Sequence, residues 1–270
     1  MSKVLSLGEM VTAVPPGALV SFGGGGMARK PMAAVAALAM SHTPVRLSVF
    51  LGGPDVDLML GAGEVQSLDF AYVGFDLLGL SPNFRRARES GGLPVVEWTE
   101  AMYIAGVEAA THHVPFMPTR SGLGVDVLEV PGHPFRRFPC PLTGETLTAV
   151  PAIRPDFLFI HATEADRAGN VRITGDGFLD PYLARASGTV FVTADRLVDQ
   201  LPPDLSEHET TISRLWVTGV AELPRGAAFT AVFPQWPLDY AAAGEYAAHC
   251  GDAGWLRDYA AGLATAEPAR

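Results

Sequence analysis

The chain has 270 residues, 48% hydrophobic and 18% charged, which suits one large α/β domain with ample material for a core. A formal net charge of −10 speaks against nucleic acid, whose phosphates call for clustered lysines and arginines. Mean hydropathy is +0.21. That leans towards an extensive subunit interface, yet no run reaches the ~18 apolar residues of a membrane span. Glu9 interrupts the N-terminal stretch before a secretory apolar region could form, so the expected location is cytoplasmic. Cys140 and Cys250 lie far apart and read as free thiols.

In chain order, Ala18–Phe22 is a short buried strand that runs into Gly23–Gly26, with Pro31 suited to the first turn of the helix that follows over Met32–Met40. Arg46–Leu51 reads as a strand and Gly52–Asp55 as its turn. Further strands are expected at Asp69–Val73 and Leu93–Glu97, and a helix from Glu100 to His112. Between the two strands, Arg85, Arg86 and Arg88 form the densest basic cluster, read as a solvated helix face. Pro115 to Pro155 is rich in breakers, an excursion long enough to be functional or interfacial. Strands resume at Phe157–His161, Thr189–Thr193 and Arg214–Val217, and a terminal helix runs from about Leu238 to Ala264. Continuous apolar strands alternating with helices predict a single domain over 1–270: a mostly parallel sheet with helices on both faces.

The glycine run is the first candidate for chemistry. A strand, a glycine turn and a helix present backbone N–H groups and a positive helix end to an anion, and Arg29 and Lys30 add charge there. The same run also fits a purely structural turn. It carries neither a Walker ending nor a dinucleotide fingerprint. In Glu97-Trp98-Thr99-Glu100, Glu97 closes a strand, Thr99 is a good N-cap and Glu100 falls in the first helical turn. A carboxylate held ionised on an apolar surface would act as base or nucleophile; acids are also simply favoured at that place. Arg120 lies between a proline-stiffened segment and Gly122, aimed for a carboxylate or enolate, or exposed on a loop. His161 ends a strand and reads as a hydrogen-bonded histidine. The seven histidines are scattered and form no metal-ligand spacing, and no G-x-S-x-G is present.

Together these pieces resemble the α subunit of the family I CoA-transferases. The resemblance rests on Pro16–Gly26, Arg29–Met32, Leu51–Asp55, Leu60–Val65, Phe84–Gly91, Val114–Arg120, Val150–Ala152, Phe159–Ala162, Gly169–Arg172 and Leu223–Ala228. It implies that family's fold and a homologous β partner, in a heterodimer or a dimer of heterodimers. It also implies an acyl-CoA substrate held between the two chains, with coenzyme A entering only as part of the substrate and no resident cofactor or metal. Backbone donors at Gly23, Gly24, Gly25 and Gly26, with Arg29 and Lys30, would hold the reacting carbonyl. Two branches are similar. The branch that hydrolytically opens a steroid-derived cyclic diketone CoA ester uses a glutamate of the α chain, matching Glu97-Trp98-Thr99-Glu100, and Arg120 would serve beside it. The glutaconate-type transferases instead use a β-subunit glutamate, and Val171–Ile173 and Phe178–Asp180 are similar to them. A third reading is a non-catalytic subunit that completes the partner's pocket. The family's P-G-G-A-H departs here to Pro224-Arg225-Gly226-Ala227-Ala228.

Overall fold

A computed structural model describes residues 2–202, 206 and 208–265. The first half runs α1 (Leu7–Thr12), β1 (Leu19–Phe22), α2 (Met32–Met40), β2 (Val45–Gly52), α3 (Pro54–Ala62), β3 (Val65–Val73), α4 (Pro82–Ser90), β4 (Val95–Glu97) and α5 (Glu100–Thr111). The breaker-rich middle contributes β5 (Phe116–Thr119), β6 (Arg136–Pro139) and β7 (Thr146–Pro151), a separate antiparallel sheet ordered β5-β7-β6. The rest is β8 (Phe157–Asp166), β9 (Val171–Thr174), α6 (Asp180–Ala186), β10 (Thr189–Val198), β11 (Glu209–Ile212), β12 (Gly219–Glu222), α7 (Tyr240–His249) and α8 (Ala253–Thr265).

The main sheet is parallel across β4-β3-β2-β1-β8-β10-β12, with β9 antiparallel on the far half of β8 and β11 antiparallel on β9. Its central strands β1, β8 and β10 are largely apolar on both sides because both faces are covered there. In β1, Val20 and Phe22 enter one core with α2, α3, α7 and α8; in β8, Leu158 and Ile160 enter the other with α5 and α6. The expected architecture is therefore observed. Buried Asp57 of α3 pins the first layer together. It accepts hydrogen bonds from the Ser81 hydroxyl, from Asn83 N (2.7 Å) and Nδ2 (2.9 Å), and from the Tyr246 hydroxyl at 3.0 Å.

Two expected elements differ. Arg214–Val217 is a turn, not a strand, with Leu215 81% exposed; sheet pairing begins at Gly219, opposite Phe191 of β10. The long terminal helix is two helices. Asp252 breaks it by accepting the Trp255 N–H at 2.8 Å, which caps a new start.

Candidate active site

The strand order reverses between β1 and β8: β2, β3 and β4 extend to one side, β10 and β12 to the other. In open parallel sheets this switch point, at the carboxyl ends of the strands, is where ligands bind. The glycine run sits there, and its donors are already used. Gly23 N donates to the Phe159 carbonyl (2.8 Å), Gly25 N to Ala28 O (3.0 Å) and Gly26 N to Leu51 O (3.0 Å). Gly24 N donates to Asp180 Oδ1 at 2.9 Å.

Both cations of the loop also point inward, which corrects their expected placement. Arg29 is buried: its Nη1 lies 2.6 Å from Asp180 Oδ2 and 2.9 Å from the His161 carbonyl, and its Nη2 reaches Asp176 O at 3.1 Å. Lys30, fully buried, places Nζ 3.0 Å from Asp55 Oδ2 and 2.6 Å from Leu51 O. A cation removed from water needs a counter-charge, and the N-termini of α6 and α3 supply one each. The donors expected to take an anion are thus engaged within the chain: Gly24 and Arg29 by Asp180, Lys30 by Asp55, and Gly23, Gly25 and Gly26 by backbone carbonyls.

Gly24 serves close backbone approach instead, while Gly23, Gly25 and Gly26 lie against the side chains of Asp180, Phe178 and Asp76. A Cβ on Gly24, whose φ is +71°, would lie 2.5 Å from the carbonyl oxygens of Ala28 and Arg29. Gly24→Ala should cost about 3 kcal/mol in urea unfolding, whereas Gly63→Ala (φ +82°, nothing within 4 Å of the added carbon) should cost about 1. Equal costs would mean that backbone strain alone matters at Gly24.

Glu100 is the first residue of α5 and Thr99 its N-cap, accepting the Met102 N–H at 3.1 Å. Trp98 anchors the helix start by packing edge-on to Phe135, centroids 4.7 Å apart. The buried face of α5 is Met102, Tyr103, Ala105, Gly106, Val107, Ala109 and Ala110. Glu100 lies off that face and is exposed, in line with Ile104 and Glu108. The expected poorly hydrated carboxylate is therefore a solvated one in the single chain. Arg120 follows β5, 77% exposed, with Nε at 3.1 Å and Nη2 at 2.6 Å from Glu145 Oε2. The two segments meet: the hydroxyls of Thr99 and Ser121, each adjacent to one of these residues, are 2.7 Å apart. The segments carrying Glu100 and Arg120 are thereby joined, while the glycine run, Arg29 and Lys30 belong to the switch point.

Asp69 of β3 carried no local signal. It lines a cavity of about 380 Å³ with Arg46, Trp98, Arg154 and Asp156. Burial pushes its carboxyl up to about 6, with Arg46 acting the other way. Between pH ~4 and 6 the native chain therefore holds more of this proton than the unfolded chain, so stability falls as pH rises through that window. Asp69→Asn should raise stability by about 1–2 kcal/mol at pH 7.5, the gain vanishing near pH 4 in urea unfolding. A gain independent of pH would refute the assignment. His161 is hydrogen-bonded as expected, Nδ1 lying 2.9 Å from Thr193 Oγ1, but it sits within β8 and not at its end, and Nε2 faces Asp195 Oδ1 at 3.3 Å without a hydrogen bond.

Among known proteins, the profile of the coenzyme A transferase family matches residues 4–214. The cholesterol ring-cleaving hydrolase IpdA subunit of Rhodococcus jostii is 35% identical over 237 residues, 84% of this chain and 80% of that protein. The A-subunit of glutaconate CoA-transferase from Acidaminococcus fermentans is 29% identical over 245 residues, 84% of this chain and 77% of that protein. The decarboxylase AibA/AibB, solved as a cysteine-to-serine variant, superposes with a TM-score of 0.86 at 25% identity, over 96% of this chain and 98% of that one. The chain therefore belongs to the coenzyme A transferase family.

Proposed function

We propose that the chain is one half of a heteromeric enzyme that hydrolytically opens the ring of a cyclic diketone CoA ester, acting with a homologous β subunit. The observation that carries the reading is the Thr99–Ser121 hydrogen bond, which joins the chain segments that carry Glu100 and Arg120. Similarity to the ring-cleaving hydrolase subunit supports it. Glu100 takes a proton from water, the resulting hydroxide adds to a ring carbonyl, and the adjacent C–C bond breaks as that carbonyl reforms. One end of the opened ring becomes a carboxylic acid, which ionises to solvent, and the other an enolate, whose carbon takes the proton back from Glu100; Arg120 stabilises the developing anion. Glu100 is exposed, so the β subunit must cover it to exclude water from the wrong face. Coenzyme A is part of the substrate, and the chemistry requires no resident cofactor.

CoA transfer is the second reading, favoured by the similarity to the glutaconate CoA-transferase chain. There a β-subunit glutamate is the nucleophile and Glu100 is dispensable. The assembled enzyme is assayed on a cyclic diketone CoA ester with wild-type and Glu100→Gln chains. Ring-opened product that depends on Glu100 supports hydrolysis. A thioester trapped by hydroxylamine on the β chain alone, with Glu100→Gln fully active, supports transfer and sinks the first reading.

A further inference from the structure

The Arg120 turn is fixed to α5 more firmly than an exposed loop needs to be. Ser121 Oγ lies 2.7 Å from Thr99 Oγ1, the atom that also caps the helix. On either side of Arg120 the backbone is closed: Ser121 N donates to Thr119 Oγ1 at 3.0 Å, and Leu123 N to the Arg120 carbonyl at 3.3 Å. Gly122 then lies against α5 so closely that a Cβ there would be 2.7 Å from Met102 Sδ. Glu145 of the β6–β7 connection holds the guanidinium itself. Backbone and head group of Arg120 are thus restrained independently, and the side-chain hydrogen bond between its turn and the cap of the Glu100 helix runs through Ser121.

We propose that the Ser121 hydroxyl is a positioning residue: it sets the Arg120 turn against the first turn of α5 so that Glu100 and Arg120 act on the same substrate. This rests on the ring-opening reading above. Ser121 touches neither reacting group; it acts through Thr99 and the turn. Losing such a tether misplaces a charge by a fraction of an ångström to an ångström, which lowers turnover more than binding.

The test compares Ser121→Ala, Ser121→Thr and Glu100→Gln in the assembled enzyme on the cyclic diketone CoA ester. Ser121→Ala should lower kcat about 10-fold, with KM within about 2-fold and an unchanged melting temperature. Ser121→Thr, which keeps the hydroxyl, should restore kcat to within about 2-fold of wild type. A normal kcat in Ser121→Ala overturns the proposal. So does a loss that Ser121→Thr fails to restore, or one that tracks a lowered melting temperature, since those mark a packing role only. Full activity of Glu100→Gln instead overturns the parent reading, which separates the two failures.

Discussion

Glu100→Gln in the assembled enzyme is expected to reduce ring-opening turnover by at least about 100-fold while leaving KM within a few-fold. The amide keeps the shape and the hydrogen-bonding reach of the carboxylate but can neither take a proton from water nor act as a nucleophile. The fold should barely register the change. Glu100 is exposed, makes no ion pair among the described residues, and contributes to α5 chiefly as a negative charge in the first turn. That charge is worth about 0.3–1 kcal/mol, and the Thr99 cap remains. Activity should therefore fall without a matching fall in melting temperature. The measurement is a steady-state rate of ring-opened product beside a thermal melt. Turnover within about 2-fold of wild type would remove Glu100 from the chemistry and leave transfer by the partner's glutamate.

The second large effect is on stability. Asp180→Ala should cost about 3–5 kcal/mol, because it strands the Arg29 guanidinium in the interior and orphans the Gly24 N–H together. Arg29→Met should cost a similar amount by leaving the Asp180 carboxylate against a single amide. Set against a typical native stability of about 5–15 kcal/mol, either change can deplete the folded state at 37 °C. The two losses share a cause, so the double variant should be destabilised by clearly less than their sum. Additive costs in urea unfolding would show that the two side chains are not coupled. A substrate-binding arginine would lower activity and spare stability, the opposite of what is expected at Arg29.

Much of the fold was legible because its signals are local. Leu19–Phe22, Phe157–Ile160 and Thr189–Val192 are apolar with little interruption, which marks strands buried on both faces. Thr99 followed by Glu100 announces a helix start, and α5 begins there. Less was legible where tertiary pairing overrides pattern. Arg214–Val217 has a strand-like composition, but hydrogen bonding to β10 begins only at Thr218 and residue pairing at Gly219. The Leu238–Ala264 stretch looks continuous until Asp252 is seen capping Trp255. The small sheet of β5, β6 and β7 was hidden within a breaker-rich excursion. Its strands are four to six residues long, too short for alternation to stand out against proline and glycine.

Taken by itself, the order of residues determined the layered α/β design, the glycine turn after β1, the capped carboxylate at the head of α5 and the family pattern that joins them. These are properties of neighbours along the chain: turn chemistry, capping and apolar runs act over a few residues. Only the tertiary structure decided where the charges of the glycine turn go, because their counter-ions Asp55 and Asp180 arrive from distant helix starts once the strands have paired. It likewise decided that Asp69 is buried enough to hold its proton towards neutral pH, and that Ser121, 22 residues from Thr99, bonds to it and joins the Arg120 turn to the start of α5. Desolvation and long-range hydrogen bonding depend on what lies across the fold, which no local pattern encodes.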